Sequence, residues 1–133
     1  MPNVITTQTI HDGPRNLVVK TYIVSDGTAL SDTNLIDVSG FVDSNGAELT
    51  RVKIMKIEAA FNGVWSAQLL WDATTNVEIL DIPGDVTDFE RDYTDIGGLI
   101  NNAGTGITGD ILWTSIGLAN TDEGHITLYL KKQ

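Results

Sequence analysis

The chain has 133 residues, 41% hydrophobic and 20% charged, with eight Lys and Arg against eighteen Asp and Glu for a formal net charge of −10. That length fits one domain with interior enough for a core, and the lack of any cysteine excludes disulfides, zinc–thiolate sites and thiol nucleophiles. The acidity argues against a phosphate backbone as partner, and no basic leader or apolar run of roughly 18 residues marks a signal peptide or membrane span, so no nucleic acid and no membrane is expected.

In chain order, residues 1–16 are polar, with Gly13-Pro14 as a break. They read either as an arm that orders on a neighbour or as an edge strand, leaving residues 17–133 as the domain. "NLVVKTYIVSDG" alternates as a strand and stops at Asp26-Gly27. After the turn "DSNG" (Asp43 to Gly46), "TRVKIMKIEAAF" sets Val52 and Ile54 on one parity and Met55, Ile57, Ala59 and Phe61 on the other. A parity change inside one run predicts a β-bulge or a change of packing environment.

Asn62-Gly63 is the strongest short hairpin signal in the chain. "WSAQLLW" then places Trp65, Ala67, Leu69 and Trp71 on one face, "DATTN" reads as a turn, and "VEILDI" is a strand ended by Pro83-Gly84. "VTDFERDYTDIGGLI" reads as a helical turn or as a loop lying across the sheet. The last clear strands are "DILWTSIG" and "HITLYLKK", the latter with Ile126, Leu128 and Leu130 inward. About eight closely spaced strands and no helical period predict an all-β, single-domain β-sandwich, jelly-roll-like in arrangement.

"AGTGITGD" contains a literal G-x-G-x-x-G at Gly104, Gly106 and Gly109. A dinucleotide site would need a helix opening on the last glycine, whereas the residues that follow are β-branched and aromatic. A glycine-rich connection between strands is therefore expected. His11 and His125 have no spacing to a nucleophile or ligand, and no Gly-x-Ser-x-Gly elbow occurs. Acids gather at Asp72, Glu78, Asp81, Asp85, Asp88, Glu90, Asp92 and Asp95, opposed by Arg91. They read as a solvated segment, with a calcium loop and a glycosidase-type carboxylate pair as sharper alternatives; the EF-hand spacing is absent. Trp65, Trp71 and Trp113 fit the core better than an exposed sugar-stacking face. No catalytic residue, cofactor site or metal site is assigned, and an enzyme is not expected.

"LLWDATTN", "GTGITGDILWTSIG", "HITLYLKK" and "IHDGPRNLVVKTYIVSDG" resemble segments of small virion structural proteins of tailed bacteriophages. The resemblance is to capsid decoration (cement) proteins, and it spans nearly the whole chain. It implies a jelly-roll-like domain on the outside of the head that stabilises the shell, assembled in the host cytoplasm. The major capsid protein would be its partner, and a homo-oligomer (trimer or dimer) its state. Candidate interface residues are Ile10, His11, Pro14, Arg15, Phe89 and Tyr93. The rival expectation is a carbohydrate- or receptor-binding β-sandwich of a head fibre or tail, and a small hydrolase using the acidic segment is the weakest.

Overall fold

In a computed structural model of the chain, the residues described are 4–27, 30–31, 33–42, 45–49, 51–62, 65–82, 89–101 and 104–132. They form nine strands: β1 Val4–Asp12, β2 Asn16–Asp26, β3 Thr33–Ile36, β4 Val52–Asn62, β5 Ser66–Trp71, β6 Val77–Ile82, β7 Phe89–Asp92, β8 Ile111–Ile116 and β9 Asn120–Lys132. Two short 3-10 turns, Val38–Gly40 and Thr94–Ile96, complete the described elements.

The strands make two antiparallel sheets, one of five in the order β1-β2-β9-β4-β7 and one of four in the order β3-β8-β5-β6. β2 pairs with β9, β3 with β8, β4 with β7 and β5 with β6, each pair nested inside the one before. That nesting is what results when one long hairpin is rolled up, which is the jelly roll. Eight strands complete the roll, and β1 is an addition on the outer flank of β2.

Alternation in the sequence becomes the inner and outer faces of these sheets. On β2, Leu17, Val19 and Ile23 are buried while Lys20 and Tyr22 point outward. Trp65, just before β5, and Ala67, Leu69 and Trp71 on it all enter the core, as their shared parity predicts. Ile126, Leu128 and Leu130 do the same from β9. The parity change in β4 is a bulge: the register with β9 slips between Ile54 and Lys56, leaving Met55 as the extra residue. Val52 and Ile54 before it and Ile57, Ala59 and Phe61 after it all face inward.

Asn62-Gly63 does not close a hairpin. Gly63 lies outside the described residues, but β4 and β5 on either side belong to different sheets. The connection therefore crosses between layers, and tertiary packing overrides a strong local turn signal. "DATTN" does turn a hairpin, with the Ala73 amide donating to Asn76 Oδ1 at 3.0 Å between paired β5 and β6. The segment read as a helical turn or a loop holds both the short strand β7 and the single turn Thr94–Ile96; its first three residues lie outside the described ones.

Where β4 leaves one sheet, the Phe61 and Trp65 rings stack with centroids 4.1 Å apart. Gly124 on β9 leaves room for that stack, since a Cβ there would lie 2.6 Å from Phe61 and 2.7 Å from Trp65. Gly124→Ala is expected to cost about 1–3 kcal/mol, the usual penalty for forcing an extra carbon into a filled core. Gly40→Ala, where a Cβ meets nothing within 4 Å, serves as the control and should stay within about 0.5 kcal/mol. Urea unfolding of the two variants checks the pair.

Candidate functional site

The glycine-rich stretch is a docked loop. Gly106 and Gly109 take φ values of +83° and +87°, a region glycine enters without steric cost, and the chain then runs directly into β8. No helix follows the glycines, so the phosphate-holding terminus of a nucleotide site is missing. The loop instead packs on the β5–β6 turn. The Thr74 amide donates to the Thr105 carbonyl at 3.0 Å, the Asp72 amide to the Asp110 carbonyl at 3.1 Å, and the Thr108 hydroxyl to Asp72 Oδ2 at 2.7 Å. A Cβ on Gly106 would collide with Thr74, so this loop position must be glycine both for its φ and for its neighbour. The segments "WDAT" and "TGITGD" thus form one structural unit.

Asp110 anchors this unit to a third segment by accepting the Val38 amide at 3.0 Å. Burial pushes its carboxyl above the usual range, with Asp37 and Asp72 adding repulsion while the Val38 hydrogen bond opposes the rise.

The remaining acidic residues are distributed between layers. Glu78 and Asp81 sit exposed on β6, and their proximity raises the Glu78 carboxyl, chiefly through a hydrogen bond with Asp81. Glu90 and Asp92 lie on β7 in the other sheet, where Asp92 accepts from the Thr94 hydroxyl and amide at 2.7 and 2.9 Å. Those bonds lower its carboxyl. Asp85 and Asp88 lie outside the described residues. Among the described residues, no three His, Cys, Asp or Glu side chains converge as a metal site would require.

All three tryptophans are core residues, at 0%, 2% and 0% exposure for Trp65, Trp71 and Trp113. A sugar-stacking tryptophan face is therefore ruled out. The aromatic residues of the outer surface lie on the five-stranded sheet. Register aligns Thr6, Tyr22, His125 and Ala60 in one row, and Gln8, Lys20, Thr127, Glu58 and Glu90 in the next. Tyr129 follows in the third, with Lys56 Nζ 5.3 Å from its ring centroid. Desolvation first and Lys20 second lower the His125 pKa, and its Nδ1 finds no hydrogen-bond partner among the described residues. Periodicity alone could have found this face, since Lys20, Tyr22, His125 and Tyr129 are the polar half of two alternating strands.

The candidate interface residues separate into two places. Ile10 and His11 are exposed on β1, and Pro14 and Arg15 are exposed in the turn that joins it to β2. Phe89 corrects the expectation: it is 6% exposed, part of the core, and unavailable to a partner. Its ring is instead covered by the Arg91 guanidinium, 4.7 Å from the centroid. Tyr93, half-buried beside β7, lies at the opposite edge of the same sheet from β1. The six therefore do not form one patch.

β1 is exposed along all nine residues, on both faces. The four-stranded sheet ends at β3 and leaves β1 uncovered. Beside it opens a cavity of about 320 Å³, lined by Thr7, Val19, Asn34, Ile36, Asp37 and Phe41 among others. The strand is held at its far end by Lys132, whose Nζ donates to Asp12 Oδ1 and to the Val42 carbonyl.

No protein-family model matches the chain, and no curated protein matches it. Among solved structures it is similar to two variants of a family 29 carbohydrate-binding module, at 7% identity with TM-scores of 0.41 and 0.40. Each alignment covers 97% of this chain, and 92% and 93% of those modules. A CBM4 structure is similar at 11% identity and a TM-score of 0.31, over 97% of this chain and 94% of that one. Likenesses this distant assign no ligand.

Asp110 gives this region a pH signature. A carboxyl raised in the folded state binds its proton more tightly than in the unfolded chain, so stability falls as pH rises from the unfolded value through the folded one. Asp110→Asn keeps an acceptor for the Val38 amide and removes the charge. The variant should be more stable than the parent at pH 7, with the gap closing as pH approaches 4. Urea midpoints across that range check this, and a gap that widens on acidification would contradict it.

Proposed function

We propose that the protein is a non-catalytic structural module that works by surface contact with other protein subunits, of the kind that decorates the outside of a tailed-phage head. The observation carrying this is β1: an uncharged run from Val4 to Ile10, open on both faces, on a chain whose net charge is −10. Edge strands of this sort are templates for protein pairing. The jelly roll, the resemblance of "WDAT" and "TGITGD" to decoration proteins and the exposed Pro14–Arg15 corner support the same view. Contact with neighbouring capsid subunits would stabilise the shell by mass action, because a ligand that binds only the assembled state shifts assembly toward it. The test is mass spectrometry of purified virions from the phage encoding the chain, followed by rebinding of the pure protein to heads stripped of it. Stoichiometric presence and saturable rebinding are expected, and absence from mature virions would contradict the proposal.

A second reading, a carbohydrate- or receptor-binding face, is favoured by the outward Tyr22–His125 pair and by Tyr129 on the same face of the sheet. It requires glycan binding that falls at least tenfold in Tyr22→Ala, about the loss of one aromatic contact. A blank glycan array would remove it.

A further inference from the structure

We propose that the free edge of β1 pairs antiparallel with β1 of a second copy, joining two five-stranded sheets into one sheet that runs through a two-fold dimer. The inference rests on the view of β1 as a protein-contact surface given above, and adds the partner.

Three observations carry it. Protein surfaces usually guard their sheet edges with charge, proline, bulges or short strands. Of the four edges among the described strands, β7 carries Glu90, Arg91 and Asp92, β6 carries Glu78 and Asp81, and β3 has only four residues. β1 is nine residues long and has no such guard from Val4 to Thr9; its first irregularity is the bulge between Thr9 and His11.

Charge then selects the occupant. Two copies each carrying −10 repel one another over most of their surface, and approach is least opposed where both are neutral. β1 is such a place, since its acid, Asp12, lies at the end and is engaged by Lys132.

The pattern is also self-complementary. With Thr7 on the two-fold axis, Thr6 faces Gln8, Ile5 faces Thr9, and Val4 reaches Ile10 at the bulge, at 55% and 53% exposure for the two apolar ends. Cross-strand neighbours of this kind, apolar against apolar and amide against hydroxyl, are what stabilise antiparallel pairs. A two-fold interface demands this self-match. The apolar side chains left open at Val4, Ile5 and Ile10 would gain cover that the four-stranded sheet does not provide.

The test is sedimentation velocity of the full chain, without particles, from about 1 μM to about 500 μM, a range that captures a modest interface. The parent should shift from monomer to dimer with concentration. Thr7→Lys and Thr7→Glu each place like charges opposite one another on the axis, so each should weaken the dimer at least tenfold, while an equimolar mixture restores it. Ile96→Lys, on an exposed turn at the opposite edge, should associate as the parent does. If a Thr7 variant fails to fold by circular dichroism, mixing Thr6→Lys with Gln8→Glu tests the same register. A parent that stays monomeric throughout overturns the inference, as does a Thr7→Lys chain that dimerises normally or a mixture that stays monomeric. Should the parent be monomeric yet Thr7→Lys lose binding to stripped heads, the dimer fails while the contact role of β1 stands.

Discussion

Three tryptophan rings must fit between the two sheets, and the layers are arranged around that requirement. Trp71 and Trp113 enter from the four-stranded sheet and Trp65 from the residue just before β5, with Leu69 and Trp113 paired directly across β5 and β8. Small residues share the core with these rings: Ala67 on β5, Ala59 on β4, and Gly124 where the Phe61–Trp65 stack presses on β9. Sheets packed face to face lie about 10 Å apart, so bulky rings on one side demand small or slender partners on the other. A layer of four strands covers four of the five facing it. β1 is the strand left over, and its exposure follows from the width of its neighbour layer.

That division also decides what the surface can offer. With the tryptophans in the core, the outer aromatic inventory falls to tyrosines held by neighbouring carboxylates, Tyr22 sharing a hydrogen bond with Glu123 and Tyr129 with Glu58. Acidic side chains mark the β6 and β7 edges, and the β3 edge is only four residues long. The neutral, two-sided flank of β1 stands apart chemically from the rest of the molecule, and it is where a protein partner would meet the least electrostatic resistance.

Much of this architecture is legible in the sequence wherever a strand has one buried face. β2, β5 and β9 announce themselves by strict alternation, and the Met55 bulge shows as a change of parity. Strands without that contrast are silent. β3 buries the adjacent Leu35 and Ile36, β7 buries Phe89 alone, and β1 buries nothing, so none carries a period-2 signal. Local turn chemistry misleads at Asn62-Gly63 because the choice between a hairpin and a crossing of layers is made by residues far away. The same limit applies to the site. Glycines 106 and 109 can be recognised as permissive for positive φ, but their docking on Asp72 and Thr74 joins segments more than thirty residues apart, which no local pattern encodes. Phe89 reads in sequence as an interface candidate, and only the packing of β7 against β4 shows it to be core.

The central claim is that β1 is a sheet edge whose missing hydrogen-bond partners come from another protein chain. Hydrogen–deuterium exchange on the peptide spanning residues 4–12 tests this most directly, measured on dilute free protein, on concentrated protein and on protein bound to heads. Amides aimed away from β2 should exchange fast when the protein is dilute and become protected in at least one of the other two states, while the core strands β4 and β9 stay unchanged. Exchange in residues 4–12 that is identical in all three states would contradict the account.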